Sequence, residues 1–268
     1  MVDPQKTGTQ QAQAQLRSGA ASMHGPAQVA GGASSSLRHE SAHLHVAGEA
    51  RYVDDVPLPP NAVHVALGLS GRAHARILGM DLGAVEAYPG VLCVLTARDI
   101  AHHNQISPVG AGDEPLLAED HVFFCGQPLF AVVAQTRHAA RHAAVLAKVD
   151  YEDLPAVLNI EQARAQGSAL VCRSLEMTRG DAPRALGSAP RRLAGQLAIG
   201  GQEHFYLEGQ AALAWPGEDG EMRVCSSTQH PTETQHMVAH VLGCPNNLVT
   251  VEVRRMGGGF GGKETQAN

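Results

Sequence analysis

The chain has 268 residues, 44% of them hydrophobic and 17% charged, with a formal net charge of −6. That length buries a substantial core and makes one or two domains. The acidic balance argues against nucleic acid as the main partner, because phosphate neutralisation needs clustered Lys and Arg. No apolar run approaches the roughly 20 residues that span a bilayer, and the N-terminus has no apolar signal core, so no membrane association and a cytoplasmic location are expected.

In chain order, residues 1–38 are rich in Gln, Ala, Gly and Ser without apolar period and read as a disordered leader. Asn61–Ser70 alternates as a strand. Asp81 is placed to cap a short helix through Tyr88, stopped by Pro89-Gly90. Val91–Thr96 reads as a buried strand. Val122–Phe124 and Leu129–Ala134 read as two strands joined by the turn Cys-Gly-Gln-Pro. Thr136 is an N-cap for a helix over 137–148, whose Ala/Leu/Val face repeats every three or four residues. A strand starts at Val149. This alternation makes a mixed α and β domain over 39–158.

Residues 159–190 carry scattered Gly and Pro and read as a connector. A second domain, 191–268, then begins. Strands are expected at Leu193–Gly200, Glu203–Pro216 and Glu221–Ser226, with Gly217-Glu-Asp-Gly220 as a hairpin turn. Thr232 and Gln235 have capping-box spacing at the start of a helix to Leu242. Gly243 and Pro245 end it, and a strand follows at 248–255.

Five cysteines (Cys93, Cys125, Cys172, Cys225 and Cys244) form no C-x-x-C pair. A zinc or iron–sulfur site from this chain is therefore not expected, and buried reduced thiols are. His138 and His142 share a helix face at i, i+4 but lack an acidic companion, so they read as surface residues.

The densest signal is Met256-Gly-Gly-Gly-Phe-Gly-Gly-Lys-Glu-Thr265, directly after a strand-like segment. Glycines let a backbone approach a ligand closely. The stretch Gly257-x-x-x-x-Gly262-Lys263 matches a phosphate-binding loop up to the Lys, but Glu264 stands where a Ser or Thr should reach Mg²⁺, and a carboxylate there would repel phosphate. The bland alternative is a tight turn with no ligand.

Five ordered stretches shift that balance: Ser41-Ala42 with Val46–Asp55; Gly126–Ala134; Gly200–Glu208; Ser226-Ser-Thr-Gln229; and Met256–Thr265. Together they resemble the xanthine dehydrogenase and aldehyde oxidase family of molybdenum hydroxylases, from about residue 39 to the end. The resemblance implies an α+β fold: a hammerhead-type α/β domain over 39–158, then the start of a molybdopterin-binding α+β domain. It also implies a fragment from the N-terminal part of a bacterial molybdopterin-binding large subunit. The expected cofactor is Mo-molybdopterin, with 2Fe-2S clusters and FAD on a partner subunit and a hetero-oligomer at full length.

In that family the Gly-Gly-Phe-Gly-Gly stretch lies against the metal centre. Carried over, the backbone amides of Phe260 and Gly261 face the metal's oxygen shell, and Gln229, from the Thr-Gln pair, reaches an oxo group. Gln229 and Phe260 would stand around the metal without ligating it. Glu264 corresponds to the acid that faces the heterocycle in purine-hydroxylating members, where a carboxyl can hydrogen-bond ring nitrogens. Glu203, His204 and Glu208 read as structural. The implied reaction is hydroxylation of an electron-poor carbon with water as oxygen source, on hypoxanthine or xanthine; an aldehyde-oxidising relative or a non-catalytic, partner-binding fragment is the alternative. The family's general base lies outside this chain, so the chain alone is expected to be inactive.

Overall fold

The computed structural model describes residues 36–108 and 112–264. The expected leader lies outside the described residues over 1–35. The chain divides after Ala50. Before that boundary stands one short helix, α1 (Ala42–Ala47), closed by Gly48 in the left-handed region at φ 70°.

From Arg51 onward three three-stranded sheets form. The first is antiparallel, with β1 (His64–Leu69) and β3 (Val91–Thr96) flanking the central β5 (Pro128–Ala134). The second sets β2 (Ala75–Asp81) between β4 (His121–Val122) and β6 (Lys148–Asp153). The third carries β7 (Ala212–Pro216), β8 (Met222–Ser226) and β9 (Val249–Glu252), antiparallel then parallel.

Strand β5 explains the first core. Leu129, Phe130, Ala131, Val132 and Ala134 are buried, so it is apolar on both faces, as a central strand must be. Phe130 lies opposite Gly68 of β1, and its ring fills the space a side chain would take there: a Cβ on Gly68 would come within 2.0 Å of it. Between β2 and β3 runs α2 (Gly83–Glu86), whose Val85 is fully buried. Asp81 accepts the Gly83 N–H at 3.1 Å from one residue before the N-cap, which is Leu82 without a side-chain cap, and the helix ends at Glu86 rather than at the expected Tyr88. Helix α3 (Arg137–Ala144) packs Ala139, Ala140 and Ala143 against β1 and β5. Thr136 Oγ1 accepts the Ala139 N–H at 3.1 Å, the expected cap. His138 and His142 stack outside at 4.0 Å between ring centroids.

Several expectations need correction. Helix α3 stops at Ala144 because Lys148 already belongs to β6, whose pairing with β2 captures it. Strand β2 has no counterpart in the sequence pattern: Gly79 and charged ends hide it, and its bulge between Ile77 and Gly79 breaks the alternation. Strands β4 and β5, expected as a joined pair, lie in different sheets. Between them Gln127, 2% exposed, accepts the Phe123 N–H and binds Ser70, turning the chain from one sheet to the other. Strand β3 is an edge and leaves Leu92 and Leu95 exposed. The cysteines expected to be buried are not: Cys93, Cys125 and Cys172 are exposed, on that edge strand, in the inter-sheet turn and in the connector, and Cys225 and Cys244 are half-buried.

The stretch 159–190 holds two exposed helices, α4 (Ile160–Ala165) and α5 (Ala182–Ser188), capped by Asn159 and Asp181. No strand forms at 193–200, and the expected strand from Glu203 begins only at Ala212. Leu193, Leu197 and Leu207 stay exposed; a strand needs a neighbour for its N–H and C=O groups, and none of the described strands pairs there. The hairpin turn does form, with Asp219 and Gly220 at positive φ between β7 and β8. Helix α6 (Pro231–Leu242) crosses from β8 to its parallel neighbour β9 and ends at Gly243, φ 64°. Its expected capping box is absent. Gln235 instead donates its side-chain N–H to the Val249 carbonyl at 2.7 Å and so ties the helix to the start of β9.

Candidate functional site

The ends of β8 and β9 bring two sequence-distant loops together. After Ser226 the chain runs through buried Ser227 and Thr228 to Gln229, just before α6. After Glu252 it enters the glycine turn at 257–262. The turns meet through their backbones: Gln229 donates its N–H to the Lys263 carbonyl at 2.8 Å, and Thr228 Oγ1 bonds the same oxygen at 3.4 Å.

The Gln229 side chain is held from the glycine turn. Its Oε1 accepts the Gly261 N–H at 2.8 Å and the Lys263 N–H at 3.3 Å. Two backbone donors on one oxygen settle which end of the amide is which, so Nε2 is the end that remains; it has no partner among the described residues. Gly259 is buried directly against this side chain, and a Cβ there would sit 2.5 Å from Oε1. Gly262 N–H closes the turn on the Gly259 carbonyl at 2.7 Å. Phe260, at φ 51°, is a non-glycine residue in the left-handed region, and its ring is 74% exposed. Gly261, at φ 89°, has nothing within 4 Å of where a Cβ would stand, so open space lies over the turn.

Beneath the turn Lys263 points inward. Its side chain is 0% exposed; Nζ donates to Ser227 Oγ, lies 3.5 Å from Glu208 Oε2 and sits over the Tyr206 ring at 4.6 Å. Glu208 is the hub of this layer. Its Oε2 accepts the Gly257 N–H at 2.7 Å and the Ser227 hydroxyl at 2.8 Å, and its Oε1 accepts the Val53 N–H at 3.2 Å. Burial alone would push its carboxyl up. The donors of Gly257, Ser227 and Val53, with the charge of Lys263, outweigh that and hold it below its ordinary value. Glu264, the next residue after Lys263, is exposed.

The structure therefore brings Gln229, Phe260 and Gly261 together at one turn, with Glu264 two residues beyond its closing hydrogen bond. The Gly261 amide is engaged by Gln229, so the donors left without a partner among the described residues are Gln229 Nε2 and the Phe260 N–H. The phosphate-loop reading fails on the same geometry: Lys263 Nζ is sealed inside. Glu203–Glu208, read as a packed strand, is irregular, with Phe205 at φ 54° and 88% exposed. Glu208, read as structural, is so; the roles of Ser227 and Lys263 as the floor of the turn escaped the sequence reading. The available signal was a Lys directly after a glycine run, a poor position for a solvated cation if the run itself is buried.

Chemically, the turn offers neutral hydrogen-bond donors on a hydrogen-bonded, glycine-lined surface, followed by the exposed carboxylate of Glu264. Such donors suit an oxygen-bearing group whose charge changes, since they attract oxygen without fixing a countercharge. The residues present fit a metal-oxo cofactor held at its oxygen shell.

A family model described as molybdopterin cofactor-binding domain matches residues 164–268, and one described as aldehyde oxidase and xanthine dehydrogenase, a/b hammerhead domain, matches 47–155. The chain is 43% identical over 232 residues to the xanthine dehydrogenase of Oryza sativa subsp. japonica, covering 85% of this chain and 17% of that protein. It is 43% identical over 232 residues to the xanthine dehydrogenase/oxidase of Felis catus, covering 86% and 17%. The chain thus spans about a sixth of these relatives. Among solved structures, the aldehyde oxidoreductase from Desulfovibrio gigas superposes with a TM-score of 0.73 at 27% identity, over 84% of this chain and 27% of that one. Quinoline 2-oxidoreductase from Pseudomonas putida 86 gives 0.71 at 31% identity, over 85% and 31%. Among the described residues no helix is long and apolar enough to cross a membrane.

Proposed function

Since the chain belongs to the aldehyde oxidase and xanthine dehydrogenase family, we propose that it serves as part of a molybdenum hydroxylase of the xanthine dehydrogenase type, contributing one wall of the active site. Residues 39–158 serve as the hammerhead domain, 159–190 as the connector and 191–268 as the cofactor-binding domain. The bound Mo-molybdopterin supplies the redox chemistry that hydroxylates an electron-poor carbon. The protein groups of this chain bind and orient. Gln229 Nε2 and the Phe260 N–H donate to the cofactor's oxygen shell; Gly261 acts through Gln229, whose Oε1 it holds. Glu264 faces the heterocycle and hydrogen-bonds its ring nitrogens, which orients a purine such as hypoxanthine or xanthine. Iron–sulfur and flavin groups belong to a partner subunit in a cytoplasmic hetero-oligomer.

The observation that carries this reading is the Gln229 amide, fixed by two backbone donors so that its amino group is the end left for a ligand. The identity to xanthine dehydrogenases, together with Glu264 after Gly-Gly-Lys, favours a purine over an aldehyde. The test is Glu264→Ala in the holoenzyme that carries this chain. Purine turnover should fall about 100-fold, the usual worth of a positioned acid or base, with aldehyde turnover and bound molybdenum little changed. Unchanged purine turnover removes Glu264 from the substrate's contacts, and absence of molybdenum from the wild-type holoenzyme ends the reading.

A further inference from the structure

A fully buried lysine beneath a glycine turn asks for a reason, since Lys is rarely buried unless paired. Lys263 sits between Ser227 Oγ, the Glu208 carboxylate and the face of Tyr206. The same residue carries three contacts to Gln229 and its neighbour through its backbone: its carbonyl accepts from Gln229 N–H and Thr228 Oγ1, and its N–H donates to Gln229 Oε1. Side chain and backbone thus tie opposite sides of one residue. Glu208 adds a second anchor by accepting the Gly257 N–H at the other end of the turn. The two anchors, at positions 257 and 263, bracket Gly259, Phe260 and Gly261. The side chains of Lys263 and Glu208 are 0% and 7% exposed and Ser227 is fully buried, whereas open space lies over Gly261.

We propose that Lys263, Glu208 and Ser227 are positioning residues, an internal clamp that fixes both ends of the glycine turn and thereby orients the Gln229 amide with Nε2 toward the ligand. The clamp rests on the functional reading above only for what the ligand is; its action on Gln229 is a property of the chain itself. Without it, the Gly261 and Lys263 amides no longer converge on Oε1. The Gln229 amide can then rotate and present its carbonyl oxygen, an acceptor that repels an oxygen shell. A merely structural role would lower stability without changing which end of the amide faces out.

The test is carried out on the 268-residue chain by NMR and hydrogen exchange, with no cofactor needed. Lys263→Met alone would leave Glu208 buried without its partner, so the main variant is Lys263→Met with Glu208→Gln, which removes both charges yet lets residue 208 still accept from Gly257. Ser227→Ala is the milder second variant. Amide exchange at Gly261 should accelerate at least roughly tenfold in the double variant while β5 amides keep wild-type protection, and the side-chain Nε2 proton signals of Gln229 should shift toward those of a solvated glutamine amide as Oε1 loses its two backbone donors. Ser227→Ala should move both readouts in the same direction by a smaller factor. Unchanged Gly261 exchange and unchanged Gln229 signals in both variants would overturn the clamp, as would a loss of Gly261 protection that β5 shares in equal measure in both. Molybdenum content of the wild-type holoenzyme reads the functional proposal separately: metal absent there with the exchange result as expected removes the ligand and leaves the clamp.

Discussion

Gln229 Oε1 lies 2.8 Å from the Gly261 nitrogen, a bond between residues 32 positions apart that closes the glycine turn onto the end of β8. The bond depends on how near the two backbones come. That nearness depends in turn on Gly259, which has no side chain to hold them apart.

Gly259→Ala places a methyl 2.5 Å from Gln229 Oε1. Overpacking of this kind costs about 1–3 kcal/mol. The urea midpoint should drop accordingly, and Gly261 amide exchange should rise with it. A variant with wild-type midpoint and exchange would mean that the turn lies further from Gln229 than described.

Glu208 makes stability pH-dependent. Its folded pKa is depressed, so it binds protons less readily in the native chain than in the unfolded one. Its contribution is fully present above the unfolded value of about 4.3. It is lost as pH falls from there through the lower folded value. Chemical denaturation between pH 7 and pH 3 should show a decline over that window that Glu208→Gln makes shallower. An identical slope in the variant would show that Glu208 is not the group responsible.

The first core hinges on Gly68 and Phe130. Gly68→Ala drives a Cβ into the ring, at 2.0 Å from its nearest carbon, and should destabilise by about 1–3 kcal/mol. Phe130→Leu removes the ring, so the two changes should not add: the double variant carrying Gly68→Ala and Phe130→Leu should be less destabilised than the sum of the two single variants. A double-mutant cycle with strict additivity would contradict the packing.

Two threonines at helix starts should differ. Thr136→Ala loses the bond to the Ala139 N–H and should cost about 1 kcal/mol. Thr232 is exposed and makes no cap, so Thr232→Ala should change thermal stability by less than about 0.5 kcal/mol. Equal losses at the two positions would restore the capping box that the sequence spacing implied.

The contrast between those threonines shows where local reading ends. The Thr136 cap, the Gly243 stop and the 217–220 turn were legible because each is decided within four or five residues by backbone torsions and nearby hydrogen bonds. The family was legible because five motifs keep their order along the chain. That Gln229, Phe260 and Gly261 belong to one turn was legible only through that resemblance, not through any spacing.

Other features needed the third dimension. Strand β2 exists because β4 and β6 flank it, whereas Leu193–Gly200, with a better apolar pattern, finds no partner strand among the described residues and stays exposed. Strand formation is a pairwise matter, and one segment's composition cannot report its neighbour. The orientation of Lys263 was settled in the same way. The residues Gly-Gly-Lys-Glu carry two adjacent charges and no hint of which is buried. Glu208, Ser227 and Tyr206 arrive from elsewhere in the chain to receive the lysine, and Glu264 is left to the outside. The family, the local caps and turns, and the residue types available to the site are all written along the chain. Which donor is left without a protein partner, and which charge is sealed beneath it, follows from folding alone, because burial and hydrogen-bond pairing depend on segments that meet only when the chain packs.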